Sequence, residues 1–236
     1  SSTRTAPTGG AWRACSDSTL TPEMFIGESC IVGLDLASRE DIAARIDLFR
    51  REVDGAEHFY IFGKFYLPEA AVENSKNAQY SGWEITEALT VTPGNTTDFQ
   101  RIEDELVEDC SRFAVDTIAV DPWQSRHMST RLMDRGANVV DVPNNVANFS
   151  EPAKVLGSLM KERRIHHDGD EVLAWMISNV VWKYDNKENV YPRKERHENK
   201  IDGAVALIQA LKIALGQSDM DRNLSAHFER EGVMVL

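Results

Sequence analysis

Three aspartates stand where an ionised side chain is hard to place. Asp35 lies inside the apolar run "IVGLDLAS", Asp121 closes "TIAVDPWQ", and Asp202 adjoins the stripe of Ile201, Val205, Ile208, Leu211 and Leu215. A carboxylate on or beside a buried surface is costly unless something compensates it. Taken singly, two of them have ordinary explanations. Asp202 could favour a helix start through the dipole, worth ~0.3–1 kcal/mol, and Asp121 could cap the turn before Pro122. Asp35 has no such outlet, because a strand interior offers no dipole and few spare donors. Taken together, acids from separate elements suit hard divalent cations such as Mg²⁺ or Mn²⁺. A pair of such ions roughly 3.5–4 Å apart can activate water and stabilise a departing phosphate-ester oxygen.

The elements that must position these acids are legible in outline. "SCIVGLDLAS" reads as a buried strand, being too short and apolar for a typical helix. "DIAARIDLFRRE", residues 41–52, is ambiguous: Ile42, Ala44, Ile46 and Leu48 alternate as in a strand, whereas Ile42, Ile46, Phe49 and Val53 suit a helix. "HFYIFGKFYLP" is a strand ending at Pro68. Pro93-Gly94-Asn95 marks a turn. Thr97 with Gln100 fits a capping box, ahead of a helical stripe of Phe99, Ile102, Leu106, Cys110 and Phe113. "VDTIAV" and "NVVDVP" are strands, separated by a helix over about 125–135 with Gly136 behind its end. Helices follow at roughly 151–164 and 169–182, then a hairpin or loop in "KYDNKENVYPRKERHENK", then the helix carrying Asp202. This order predicts one α/β domain with a mixed sheet.

Composition sets bounds without choosing a function. Hydrophobic residues make up 42% and charged residues 27%, ordinary for a soluble globular chain. No run of about 18 apolar residues is present, so no membrane-spanning helix is expected. The opening "SSTRTAPTGG" has no apolar core and reads as a linker, not a secretory signal. Cys15, Cys30 and Cys110 are an odd number without CxxC spacing, which argues against a disulfide framework or a cysteine-rich zinc site. The net charge of −12 speaks against a general nucleic-acid coating protein but not against a nuclease.

Weaker signals have competing explanations. Lys183, Lys187, Arg193, Lys194, Arg196 and Lys200 form a basic segment just before Asp202. It is either a solvated loop or a surface that contacts DNA phosphates without reading sequence. "HHDGDE", 166–171, looks like a metal cluster, but its acids suit a helix N-terminus with Asp168 or Asp170 as cap. Trp175, Asn179 and Trp182 read as packing groups. Gln124, Arg126 and His127 follow Asp121 closely enough to reach the same cleft.

Five segments together resemble the C-terminal nuclease domain of the large terminase subunit of tailed phages. They are "GLDLAS", "GWEITEALTVTPGNTTDFQRIEDEL", "IAVDPWQ", "LAWMISNVVWKYD" and "NKIDGAVALIQAL", and the resemblance covers about residues 11–216. It implies an RNase H-like fold, a central mixed β-sheet flanked by α-helices, and resolves 41–52 as a strand. It implies two divalent ions, Mg²⁺ or Mn²⁺, held by Asp35, Asp121 and Asp202, and a DNA endonuclease acting on concatemeric phage DNA with little sequence preference. Gly203 then permits close approach of helix and sheet. The implied partners are double-stranded DNA, the terminase small subunit and the capsid portal, in the cytoplasm of an infected host and away from membranes. The family's N-terminal ATPase is not represented: no G-x-x-x-x-G-K-[ST] stretch occurs, and Gly63-Lys64 is followed by Phe65. The expected boundaries are an extension over 1–28, the nuclease domain over 29–216 and a flexible tail over 217–236. An RNase H-like junction resolvase or RNA–DNA hybrid nuclease, and a non-catalytic portal-docking module, are the alternatives.

Overall fold

The computed structural model describes residues 3–4 and 8–230. In chain order, β1 (Thr3–Arg4), α1 (Thr8–Arg13) and a 3-10 turn (Pro22–Phe25) precede β2 (Ser29–Asp35), β3 (Ala43–Val53) and β4 (Ala56–Pro68). Next come α2 (Glu69–Asn74), α3 (Gln79–Ile85), β5 (Thr90–Thr92), α4 (Phe99–Asp109), β6 (Ala114–Val120), α5 (Pro122–Asp134) and β7 (Val139–Asp141). The chain continues through α6 (Val146–Lys161), β8 (Ile165–His167), α7 (Glu171–Ser178), β9 (Val181–Tyr184), β10 (Val190–Arg193) and α8 (Asp202–Arg230).

The main sheet runs β5-β4-β3-β2-β6-β7, with β8 also paired to β4. It is mixed: β2, β3 and β4 form antiparallel pairs, whereas β6 lies parallel to both β2 and β7. The ambiguous segment 41–52 is therefore strand, its Asp35↔Ala44 register placing it directly beside the first acid. A strand rather than a helix wins because both faces of β3 are covered. Ala44, Ile46 and Leu48 enter the core beneath α6, α7 and α8, while Ala43 and Phe49 enter the core beneath α4 and α5. A helix would have left half of these apolar groups in water.

Several local expectations shift. Asp98, not Thr97, caps α4, accepting from the amides of Gln100 and Arg101. The expected helix 169–182 stops at Ser178, and Val181 and Trp182 instead open β9, in keeping with their β-branched and aromatic side chains. His166 and His167 lie on β8 rather than a helical turn, and Asp170 alone caps α7 through Leu173 N at 2.8 Å. The expected helix 151–164 begins earlier, behind Asn145, whose side chain caps it.

The boundaries also differ from expectation. Trp12 is fully buried and stacks on His167 with ring centroids 4.2 Å apart, so the stretch before position 29 packs into the domain. Helix α8 passes position 216 without a break and runs to Arg230. It is tied to the sheet at that point, because Arg50 donates to Gln217 and Ser218 at 2.9 and 3.0 Å. The linker expected at the N-terminus and the tail expected at the C-terminus fall partly on residues 1–2, 5–7 and 231–236, which lie outside the described residues.

Candidate active site

Side-chain alternation sets the first two acids. Along β2, Cys30, Val32 and Leu34 enter the core under α4 and α5, so Gly33 and Asp35 turn to the opposite face, toward α8. Along β6, Ile118 and Val120 take the α4–α5 side, whereas Ala119 joins the α8 side, and Asp121 continues that alternation. The two strands are parallel neighbours with Leu34 opposite Val120. Asp35 and Asp121 therefore emerge next to each other at the carboxyl ends of the strands, both buried. Helix α8 packs across this face on Gly33, where there is no side chain to hold it off. That places Asp202, in its first turn, over the same sheet end.

The electrostatics show that the acids share one neighbourhood. The Asp35 carboxyl is driven well above the usual carboxylate range, first by burial, then by the negative charges of Asp202, Asp121 and Asp41. Burial, followed by Asp41, pushes Asp202 up to about 7. The Oδ2 atom of Asp202 is buried without a hydrogen-bond partner. A helix-start charge would be satisfied by first-turn amides or water, so the dipole explanation leaves this oxygen unaccounted for. Asp121 has one oxygen committed, accepting from Trp123 N at 3.1 Å as the cap of α5.

The donor set suits a divalent cation. It offers hard carboxylate oxygens from three elements, one of them orphaned, and like charges that an intervening cation would relieve. Among the described residues no three or more histidine, cysteine, aspartate or glutamate side chains are arranged to hold a metal ion. The acids converge in field and face without being drawn into a coordination shell.

The structure adds one neighbour of the acids, Asp41, and places another, Gln124. Asp41, at the start of the return toward β3, accepts from Lys200 Nζ at 2.7 Å and from Lys194 Nζ at 3.2 Å. Burial opposes its ionisation, but the hydrogen bonds and charges of these lysines outweigh burial and hold its carboxyl below the usual range. The faint sequence signal was an acid directly ahead of the strand that pairs beside Asp35. Gln124, on the first turn of α5, donates through Nε2 to Asp35 Oδ1 at 3.2 Å and to the Leu36 carbonyl when its amide is oriented to satisfy both. Proximity to Asp121 in sequence was its only sign.

The basic segment divides. Lys194 and the buried Lys200 are engaged with Asp41. Lys183 on β9, Lys187 in the β9–β10 turn, and Arg196 are exposed. Arg193, exposed at the end of β10, lies over the Tyr191 ring at 5.1 Å. Asn179 donates to the Lys200 carbonyl at 2.9 Å, and Trp175 packs edgewise on Tyr80. Both are packing roles. Gly203 has its space filled by Met176, Leu173 and Phe65, so the closest approach of helix to sheet is at Gly33 instead.

A central mixed sheet flanked by helices is the RNase H-like fold. The chain belongs to the terminase large subunit endonuclease-domain family, whose pattern it matches over residues 12–217. It is 36% identical over 236 residues to Protein YmfN of Escherichia coli K12, covering 96% of this chain and 52% of that protein. It is 24% identical over 217 residues to the terminase large subunit of Enterobacteria phage HK97, covering 87% of this chain and 40% of that protein. The chain thus spans about half or less of these relatives. The crystal structure of the HK97 large terminase superposes with a TM-score of 0.75 at 24% identity, over 87% of this chain and 42% of that one. The large terminase nuclease of thermophilic phage G20c, solved with bound magnesium, gives a TM-score of 0.52 at 12% identity, over 79% of this chain and 84% of that one.

Proposed function

We propose that this chain is a divalent-metal-dependent endonuclease domain that hydrolyses phosphodiester bonds of double-stranded viral DNA during genome packaging, with little sequence preference. The observation that carries the reading is the burial of Asp35 within the combined field of Asp202, Asp121 and Asp41. A chain accepts such repulsion when a bound cation removes it. Magnesium bound to the G20c nuclease supports the choice of ion.

Asp35, Asp121 and Asp202 would hold two ions, Mg²⁺ or Mn²⁺. Bound there, the ions supply water activation and charge compensation at the departing 3′ oxygen. The residues around them do the rest. Gln124 fixes Asp35 Oδ1 in direction. Capping of Trp123 N leaves the second oxygen of Asp121 uncommitted. Lys194 and Lys200 keep Asp41 ionised and occupied, so that it adds negative potential without collapsing onto its neighbours. DNA phosphates would be brought up by the exposed members of the basic segment, Lys183, Lys187, Arg193 and Arg196. The terminase small subunit and the capsid portal are the proposed packaging partners, and the host cytoplasm the proposed setting.

The test is to incubate the chain with linear duplex DNA and Mg²⁺ or Mn²⁺, beside an Asp35→Asn variant shown to be folded. Cleavage by the wild type alone supports the reading; cleavage by neither points to a docking module. Parallel arms with four-way junctions and RNA–DNA hybrids identify a resolvase or hybrid nuclease if either is cut in preference.

A further inference from the structure

A cleft of about 920 Å³ runs between the α2–α3 segment and the loop that leads into α8. One wall carries Asn74, Lys76, Asn77 and Tyr80, and Arg39 and Lys200 close the other side. Its position is set by one contact with the acid site. Lys200, on the cleft wall, donates to Asp41 at 2.7 Å. The cleft therefore ends at Lys200, beside Asp41 and two residues before Asp202.

We propose that this cleft is the path of the DNA backbone into the site, with Arg39 and Lys76 contacting phosphates on the way to Asp202. The inference rests on the endonuclease reading and adds the route by which its substrate arrives. Three observations select a phosphodiester chain as occupant. Arg39 and Lys76 are exposed and form no ion pair among the described residues, whereas Lys194 and Lys200 are already committed to Asp41. The walls are rich in side-chain amides, which donate to phosphate and sugar oxygens without selecting bases. The volume lies near the upper end of small-ligand cavities, about 300–1,000 Å³, and the cleft is open, so a polymer can pass through it. Two acids, Glu40 and Glu198, also line it, with His197 Nε2 3.8 Å from Glu40.

The test uses the 236-residue chain and a fluorescently labelled 30-mer duplex, with binding measured by anisotropy across a salt series in chelator. A double variant, Arg39→Ala with Lys76→Ala, is compared with Lys183→Ala with Lys187→Ala, and circular dichroism verifies that all are folded. If the cleft carries the backbone, the first variant lowers the slope of log affinity against log salt by about two, one for each lost phosphate contact, and weakens binding about tenfold or more at low salt. Its kcat at saturating DNA stays near wild type while KM rises. An unchanged slope and affinity in the first variant overturn the proposal, as does a loss of slope confined to the second. If the wild type binds but does not cut, the endonuclease reading fails separately, and the salt slopes still decide whether the cleft holds DNA.

Discussion

The α-carbon of Gly33 faces the carbonyl of Ala206 so closely that a Cβ at position 33 would lie 2.0 Å from that oxygen. This backbone-to-backbone seat fixes the height of α8 above β2, and with it the distance from Asp202 to Asp35. Replacing Gly33 with alanine forces the helix away from the sheet. The expected result is destabilisation of about 1–3 kcal/mol or more by chemical denaturation, with cleavage reduced beyond what the unfolded fraction explains.

Asp35 is expected to be essential for activity and a burden on stability. Asp35→Asn should bring Mg²⁺-dependent cleavage to background. In chelator, the same variant should melt at or above the wild-type temperature, because it removes a buried charge held among Asp202, Asp121 and Asp41. A clear drop in melting temperature would mean that Asp35 serves mainly to hold the sheet together.

The acids also set a pH dependence. Asp202 is pushed up to about 7 and Asp35 is raised as well, whereas both titrate near about 3.9 in the unfolded chain. Between those values the folded state binds more protons than the unfolded one. Their contribution is therefore fully present below about pH 4 and is lost as pH rises through 7. Denaturation midpoints in chelator should fall across that window, less steeply in an Asp35→Asn/Asp202→Asn double variant. Saturating Mg²⁺ should restore more stability at pH 8 than at pH 5.

On the opposite face of the sheet, the fully buried Arg45 holds Asp47 through two hydrogen bonds of 2.9 and 3.0 Å and Asp109 through one of 2.7 Å. Removing the guanidinium leaves Asp47 buried without its cation. Arg45→Ala should cost about 3–5 kcal/mol, against less than about 1 kcal/mol for Arg101→Ala, whose pairing with Glu105 lies on the α4 surface. Equal losses in urea titrations would show that the Arg45 network is not stabilising the native state.

The strands carrying Asp35 and Asp121 were legible because each is an unbroken apolar run, and an acid inside such a run has few bland explanations. Asp202 stood out less, because a helix start gives an acid the dipole explanation. Segment 41–52 was not decided by its own pattern, because an apolar Phe49 on the second buried face adds a helical spacing to the alternation of Ile42, Ala44, Ile46 and Leu48. Asp41 and Gln124 were missed or left unplaced since their importance depends on chain return and helix orientation, which no local pattern encodes. The basic segment looked uniform in sequence, yet Lys194 and Lys200 are consumed by an acid that lies far away along the chain.

Helix α8 begins at Asp202 and ends at Arg230, a rod of about 43 Å at 1.5 Å per residue. It is pinned near its middle, where Gln217 and Ser218 engage Arg50, and beyond that point it projects with largely exposed side chains. A push or twist applied to the projecting arm would be transmitted along the rod to its first turn, where Asp202 stands.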